Sequence, residues 1–316
     1  MIYSKPENRT SQCTTNEIIH YVGIGLHSGH NVSMSLYPAA PNTGICFLRR
    51  DVDPEHMLIR ASWKNVVDTR LCTVLGNEHG VTISTVEHLL AALRGCGVDN
   101  LLIEINGDEV PILDGSCAPL VEMINKAGVV GQRLPRFGIW IERPIEVRQG
   151  ERFAVLAPSD VPRITVDIEF ENAAIGSQCL SVDMIDKVFA AEIAPARTFG
   201  FADELEQLHE QGLALGGSMR NAVLLDDERV INPEGLRFAD EFARHKILDC
   251  LGDLALAEAP IFGHLYASKP GHRLNNALLR EMFANGDAWS RLTYEEINHR
   301  IEKEPVAQQS WMHAMT

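Results

Sequence analysis

The stretch of residues 244–256, RHKILDCLGDLAL, most constrains how this chain can fold. At about 100° per residue, its apolar side chains fall on one side of a helix, while His245, Asp249, Gly252 and Asp253 fall on the other. His245 and Asp249 are one helical turn apart and lean the same way, so they can converge on one cation. A catalytic zinc takes three protein ligands and keeps a fourth position open. The pattern therefore calls for a third ligand elsewhere in the chain.

Length and composition indicate an ordinary globular protein. The chain has 316 residues, of which 45% are hydrophobic and 22% charged, enough for two domains that each bury a core. No basic segment with a following apolar run opens the sequence, and no window approaches the roughly 20 apolar residues of a spanning helix. Seven scattered cysteines without a CxxC pair fit a reducing compartment. We therefore expect a cytoplasmic protein with no integral membrane segment, and a monomer by default.

The charge balance limits the partners. A net charge of −15 opposes general affinity for nucleic acid or anionic membranes. A small phosphate-bearing substrate would need a local basic patch. Arg197, Lys246, Lys269 and Arg273 are the candidates near residues 244–256.

A second helix is predicted to begin at Ser84 and to run to about residue 93. Glu87, three residues after Ser84, fits a capping box, in which serine and glutamate satisfy the free N–H groups of the first turn. His88 points away from the leucine-rich face and lies beside Ala91 and Ala92, which would leave room for an approaching group.

The best domain boundary is the stretch of residues 128–136, which contains Gly131, Pro135 and several polar residues. It predicts a first domain at 1–130, a linker at 131–137, a second domain at 138–302 and a tail at 303–316. Both the helix with His88 and the helix with His245 lead through a glycine-containing break into an isoleucine-containing strand. This pattern alone leaves an internal duplication open.

His88 is the candidate third ligand. Together with His245 and Asp249 it would form a two-histidine, one-carboxylate site with an open position for water, and Glu87 could accept a proton from that water. The alternative is plain structure, since an isolated HxxxD on a helix is more often a surface pair or a structural hydrogen bond. Spacing alone does not decide between them.

Five motifs in order resemble the UDP-3-O-acyl-N-acetylglucosamine deacetylase family, the zinc amidases of lipid A biosynthesis. The motifs are STVEHL at 84–89, ARTFGF at 196–201, GLRF at 235–238 with EFARHK at 241–246, the Asp249 to Asp253 segment, and GH at 271–272 with LNN at 274–276. The resemblance spans about residues 17–285. It implies an α+β fold of two similar two-layer α/β sandwich domains, packed against each other with the metal site between them.

The resemblance also implies roles for individual residues. The zinc ligands would be His88, His245 and Asp249. The catalytic residues would be Glu87 as general base, His272 as the acid that protonates the departing amine, Asp253 as the carboxylate that orients His272, and Thr198 as an oxyanion donor.

Substrate contacts are implied in the same way. The resemblance assigns them to Phe199, Lys246, Lys269, Leu71 and Cys72, with Lys269 facing the diphosphate. The insert at about 197–225 would form an acyl tunnel lined by Leu205, Ala214, Ser218, Ala222 and Leu224. Each apolar member could instead be plain core, and Cys72 could be a small buried cysteine. The family's substrate-binding lysine is missing, and Arg143 could replace its charge but not its geometry.

The expected activity is zinc-dependent hydrolysis of the N-acetyl group of UDP-3-O-acyl-N-acetylglucosamine, a UDP-sugar lipid. Two alternatives stay open: a zinc amidase acting on a different acylated amino sugar, and a catalytically silent binding relative. Fe²⁺ could replace Zn²⁺, because a two-histidine, one-carboxylate site accepts both.

Overall fold

The structure is a computed structural model that describes residues 10–184 and 187–303, and it confirms the α+β class. The first part of the chain forms β1 (Ser11–Thr15), β2 (Ile19–Ile24), β3 (Asn31–Pro38), β4 (Ile45–Arg49), β5 (Leu58–Arg60), β6 (Val66–Asp68), β7 (Val74–Gly76), β8 (Thr82–Ile83), α1 (Glu87–Gly95), β9 (Leu101–Ile105), α2 (Ala118–Ala127) and β10 (Val129–Pro135). The second part forms β11 (Phe137–Ile141), β12 (Ile145–Gln149), β13 (Arg152–Ala157), β14 (Arg163–Glu169), β15 (Ser177–Asp183), β16 (Phe199–Phe201), α3 (Leu205–Glu210), β17 (Val223–Leu225), α4 (Glu241–Leu254), β18 (Ile261–Phe262), β19 (His264–Ser268), α5 (His272–Ala284), β20 (Trp289–Thr293) and α6 (Tyr294–Lys303).

Two five-stranded sheets share one topology. Their strand orders are β2-β3-β9-β4-β5 and β12-β13-β19-β14-β15. In each sheet the third and fourth strands run parallel and the other neighbours run antiparallel. This correspondence supports the duplication, while the domain boundaries stay a prediction. The proposed linker at 131–137 covers most of β10, which pairs with β1, and the start of β11.

The strands follow the apolar alternation of the sequence. In β3, Val32, Met34 and Leu36 are buried. Asn31, which precedes Val32, and Ser33, which lies between Val32 and Met34, are exposed. Side chains on a strand alternate between its two faces, so a period of two places all three apolar residues against the core. The period of two in the sequence therefore indicates the strand that the structure contains.

Two predictions about helix α1 are wrong, namely the capping box at Ser84 and the open space beside Ala91 and Ala92. The helix begins at Glu87, after the short strand β8, and the Ser84 hydroxyl donates to the Asp108 carbonyl oxygen at 2.9 Å, so the capping box is wrong. Ala91 and Ala92 are fully buried and leave no open space. The reason is that α4 packs on the side of α1 opposite its leucines.

Close contact between α1 and α4 depends on Gly252. A Cβ at this position would lie 2.0 Å from the Glu87 carbonyl oxygen, well inside contact distance. The glycine therefore lets the two backbones approach, which brings the polar faces of both helices together.

The C-terminal part contains elements that the sequence reading missed. Strand β20 and helix α6 lie between residue 289 and residue 303, and they pack Tyr294 and Ile297 against Trp140 and Phe262. The predicted tail lies outside the described residues except for Lys303, the last residue of α6. Residues 185 and 186 also lie outside the described residues, and the chain after them forms a short π-helical turn at Phe189–Ile193. Within residues 10–184 and 187–303, no helix has the length and apolar character needed to cross a membrane.

Candidate metal centre and its acid–base pair

Three potential metal ligands meet where α1 packs against α4. One ligand atom each from His88, His245 and Asp249 lies within 4.8 Å of the others, and all three residues are buried. Asp249 Oδ1 is 3.3 Å from His245 Nε2 and 3.7 Å from His88 Nε2. The structure thus brings together the two helices that the sequence singled out.

Neighbouring groups hold the donor atoms in orientations that suit a cation. His245 Nδ1 lies 3.1 Å from the Ala196 carbonyl oxygen, which fixes the proton on Nδ1 and leaves the Nε2 lone pair facing Asp249 Oδ1. The other oxygen, Asp249 Oδ2, accepts a hydrogen bond from Lys246 Nζ at 2.8 Å. A lone pair and a carboxylate oxygen that face each other repel unless a cation lies between them, so the donor set fits a bound metal ion.

Burial and charge keep the three ligands in their metal-binding protonation states. Burial, together with the neighbouring His245, lowers the pKa of His88 to about 3, so the imidazole is neutral. Burial also lowers the pKa of His245. Burial raises the pKa of Asp249, but Lys246 and the histidines outweigh it and hold the pKa of this carboxyl well below its usual range. Neutral imidazoles and an ionised carboxylate are the forms that bind metal.

Glu87 precedes His88 and occupies a buried position beside the cluster. Its Oε2 accepts a hydrogen bond from the Thr73 backbone N–H at 3.0 Å, and its Oε1 lies 3.8 Å from His272 Nε2. Burial raises the pKa of Glu87 to about 7, against the opposing charge of His272. A carboxyl with a pKa near neutrality is suited to accept a proton at neutral pH.

His272 begins α5 and is held by Asp253, one turn beyond Asp249 on α4. Nδ1 of His272 lies 2.8 Å from Asp253 Oδ2, which also accepts a hydrogen bond from Asn275 Nδ2 at 2.8 Å. Asp253 Oδ1 accepts another from the Thr73 hydroxyl at 2.6 Å. Burial lowers the pKa of His272, but Asp253 and Glu87 outweigh it and raise the pKa to about 10. The imidazolium therefore persists at neutral pH, with Nε2 directed towards Glu87.

As the pH is raised, we expect the activity of the Asp253→Asn variant to fall at a lower pH than the activity of the unchanged protein. The family resemblance implies that His272 acts as an acid, which must be protonated, so the rate should fall as pH rises through the pKa of His272. Asparagine keeps the shape of Asp253 but removes the charge that raises this pKa, so the basic limb of kcat should move down by about 1–3 pH units. Rates of the hydrolysis that the family resemblance implies, measured between pH 5 and 11, give the shift. Asp108→Asn, at an exposed position after β9, is the control and should leave the basic limb unchanged. An unshifted limb in Asp253→Asn would contradict the assignment of His272 as the acid.

Phe199 reaches the site from the segment that contains Ala196 and Thr198. The Thr198 N–H donates to the Gly115 carbonyl oxygen at 2.8 Å, which ties this segment to the first part of the chain. The Phe199 ring lies 6.3 Å from that of His245, and Lys246 Nζ lies 5.3 Å from the Phe199 centroid. The structure therefore brings Phe199 and Lys246 to the metal cluster.

Other predicted substrate residues lie further out. Arg143 is exposed and pairs with Asp287. Lys269 pairs with Glu169 at 2.9 Å and with Glu151 at 3.3 Å. The described contacts of Arg143 and Lys269 therefore do not join them to the metal cluster.

Two further predicted residues precede Thr73. Leu71 is exposed and Cys72 is buried, and burial, with the charge of Glu87, raises the pKa of the Cys72 thiol to about 12. The thiol is therefore protonated, as in an ordinary buried cysteine.

The predicted acyl insert folds as a small two-stranded unit. Strands β16 and β17 pair in parallel, and the insert reaches the first part of the chain through hydrogen bonds from the Leu215 and Gly216 N–H groups to the carbonyl oxygens of His27 and Leu26. The five tunnel candidates differ in exposure: Ala214 is buried, Leu205, Ala222 and Leu224 are half-buried, and Ser218 is exposed. Their role as tunnel lining stays a prediction.

Sequence reasoning assigned no role to three residues that support the site. Thr73 bonds to both Glu87 and Asp253, and Asn275 bonds to Asp253. Glu241, fully buried, accepts hydrogen bonds from the Arg197 N–H and Nε and so anchors the segment beside His245. Asn275 could have been found from its position one turn after His272. Thr73 has no signal of its own, because its partners are distant in sequence.

Comparisons with known proteins agree with this geometry. The profile of the family described as UDP-3-O-acyl N-acetylglycosamine deacetylase matches residues 12–284. A protein of Tolumonas auensis named UDP-3-O-acyl-N-acetylglucosamine deacetylase is 46% identical over 299 residues, which is 94% of this chain and 96% of the relative. Proteins of the same name from Vibrio parahaemolyticus and Idiomarina loihiensis are 46% and 47% identical, each over 90% of this chain and 94% of the relative.

Proposed function

Because the chain belongs to the UDP-3-O-acyl N-acetylglycosamine deacetylase family, we propose that it hydrolyses the N-acetyl group of UDP-3-O-acyl-N-acetylglucosamine during lipid A biosynthesis, using a bound zinc ion. The products are acetate and UDP-3-O-acyl-glucosamine. The observation that carries the proposal is the buried cluster of His88, His245 and Asp249, with Glu87 and His272 beside it. Fe²⁺ fits the same donor atoms and is the alternative ion.

The metal and the protein have separate tasks in this reaction. His88, His245 and Asp249 would hold the zinc ion, which would supply the Lewis acidity that polarises an amide carbonyl and makes a water molecule more acidic. Glu87 accepts the proton of that water as it attacks the carbonyl carbon, because its carboxylate is held by Thr73 and has a pKa near neutrality. The Thr198 hydroxyl donates a hydrogen bond to the oxygen that becomes negative.

His272 completes the reaction by protonating the departing nitrogen. An amine leaves far more readily after it gains a proton, so an acid on the leaving-group side is required. His272 meets this need because Asp253 holds its Nδ1 and keeps the ring protonated, while Nε2 faces the site. Acid and base are thus separate residues, each prepared in its own protonation state by its surroundings.

The acyl chain is the part of the substrate that the metal cluster cannot recognise. We propose that the insert at about 197–225 binds it, since the half-buried side chains of Leu205, Ala222 and Leu224 lie in this segment, which also provides Phe199 beside His245. Each buried methylene contributes about 0.8 kcal/mol, so four or more should raise kcat/KM by at least about 100-fold.

An acetate-release assay with the acylated UDP-sugar and its unacylated counterpart tests this function. We expect kcat/KM to be at least about 100-fold higher for the acylated substrate. The Ala222→Trp variant should lose this preference while its rate on the unacylated sugar stays the same. Equal rates on both substrates would remove the acyl-binding role of the insert and leave a zinc amidase for another amino sugar. Absence of acetate release from either would favour a silent binding relative.

A further inference from the structure

Thr73 lies between Glu87, the proposed base, and Asp253, the residue that holds the proposed acid. It directly precedes β7 in the first part of the chain and is 1% exposed. Its hydroxyl donates to Asp253 Oδ1 on α4 at 2.6 Å, across 180 positions of sequence. This buried hydrogen bond therefore joins the half of the site on α1 to the half on α4.

The polar groups of Thr73 divide between the two helices. The backbone N–H donates to Glu87 Oε2 at 3.0 Å, and the backbone carbonyl oxygen accepts the Val86 N–H at 3.5 Å, so the main chain contacts the start of α1. The side chain contacts α4 through Asp253. A displacement of Thr73 would therefore move the carboxylates of Glu87 and Asp253 together.

The Thr73 hydroxyl also fixes the rotation of the Asp253 carboxylate. Oδ2 of Asp253 lies 2.8 Å from His272 Nδ1 and accepts a hydrogen bond from Asn275 Nδ2 at 2.8 Å, while Oδ1 accepts the hydroxyl of Thr73. The terminal torsion of an aspartate is broad, so a carboxylate held only at Oδ2 can turn. Contacts on both oxygens keep Oδ2 directed at Nδ1, which leaves His272 Nε2 3.8 Å from Glu87 Oε1.

We propose that Thr73 is a positioning residue that sets the separation of the base and the acid, because it holds Glu87 through its N–H and His272 through Asp253. The kinetic part of this inference rests on the proposed function, in which Glu87 and His272 have those roles. A misplacement of about 1 Å between reacting groups can lower a rate by about 100-fold. A hydroxyl that acts only through Asp253 can therefore still change kcat.

Thr73→Val removes the hydroxyl and keeps the shape and the backbone N–H. We expect kcat for acetate release to fall at least about tenfold, with KM within about twofold, and Thr73→Ser to restore most of the loss. Thr165→Val on β14 is the matched control. Thr165 is 4% exposed, and its hydroxyl lies 2.7 Å from both Ser181 Oγ and His264 Nε2, so this variant should cost similar folding stability and keep its kcat.

A double-mutant cycle tests whether Thr73 acts through Asp253. In the Asp253→Ala variant the Thr73 hydroxyl has no carboxylate to orient, so adding Thr73→Val should lower kcat by no more than about twofold. The loss should be larger, at least about tenfold, when Asp253 is present. Equal losses in the two backgrounds would overturn the proposal, since they would place the effect of the hydroxyl elsewhere.

Proton NMR of the full chain separates this inference from the proposed reaction. The imidazole N–H of His272 that faces Asp253, assigned by its loss in His272→Gln, should shift or exchange faster with water in Thr73→Val. It should stay unchanged in Thr73→Ser and in Thr165→Val. An unchanged signal or an unchanged kcat in Thr73→Val would overturn the proposal. If the unchanged protein releases no acetate, the proposed function fails, and the NMR signal alone then decides whether Thr73 positions His272.

Discussion

Replacement of Glu87 by glutamine is expected to lower kcat for acetate release by about 10²–10⁴-fold, the usual contribution of a general base. Glutamine has the same size and can still accept the Thr73 backbone N–H, which the carboxylate accepts at 3.0 Å. It cannot take a proton from water. The substitution therefore removes the proposed chemistry and preserves the packing between α1 and α4.

Steady-state rates and the zinc content of the same preparations measure this effect. Zinc content should stay near that of the unchanged protein, because His88, His245 and Asp249 remain. Glu78→Gln is the matched control, since the Glu78 side chain is 88% exposed and lies outside the site. A Glu87→Gln enzyme with nearly normal kcat would show that this glutamate has only a structural role.

Replacement of His245 by glutamine is expected to abolish both zinc binding and acetate release. The side chain of His245 is 2% exposed and its Nε2 lies 3.3 Å from Asp249 Oδ1, so the substitution removes one of three converging ligands. Loss of a residue that only orients a ligand weakens metal binding by about 10–100-fold, and loss of the ligand itself should exceed this. Glutamine can still donate to the Ala196 carbonyl oxygen that His245 Nδ1 contacts, which limits damage to the fold.

Zinc affinity measured with a competing chelator tests this prediction. His79→Gln is the matched control, because His79 is stacked on His56 at 4.1 Å and its side chain is 40% exposed. The control should keep its zinc and its activity. If His245→Gln retained zinc with normal affinity, the metal would have to lie elsewhere in the chain.

Some of this site could be predicted from local spacing. His245 and Asp249 are one turn apart on a helix whose other face is apolar, so their common direction follows from helix geometry alone. Asp253 is one further turn along the same helix, so its side chain points in the same direction for the same reason. Spacing offered His88 only as a candidate third ligand, and the family resemblance singled it out, because its approach to α4 depends on contacts distant in sequence, such as Gly252 against the Glu87 backbone.

The remaining features depend on tertiary packing. The capping box at Ser84 was wrong because β8 and the positive φ of Thr85, 58°, place the start of α1 at Glu87, where the carboxylate is used by Thr73 instead. Ala91 and Ala92 suggested open space, but small residues also allow two helices to pack closely. The α+β class followed from the family resemblance, and the alternation in β3 is visible in the sequence. In contrast, β20 and α6 were missed, although Tyr294, Ile297 and Ile301 recur at helical spacing in α6.

Titration of zinc into the metal-free protein, followed by acetate release from UDP-3-O-acyl-N-acetylglucosamine, tests the central claim most directly. The protein stripped by a chelator should be inactive, and its activity should rise in proportion to added zinc up to one equivalent per chain. His245→Gln should show no such rise. Full activity in protein with less than about 0.5 equivalent of zinc, with no gain on adding the ion, would contradict a catalytic metal held by His88, His245 and Asp249.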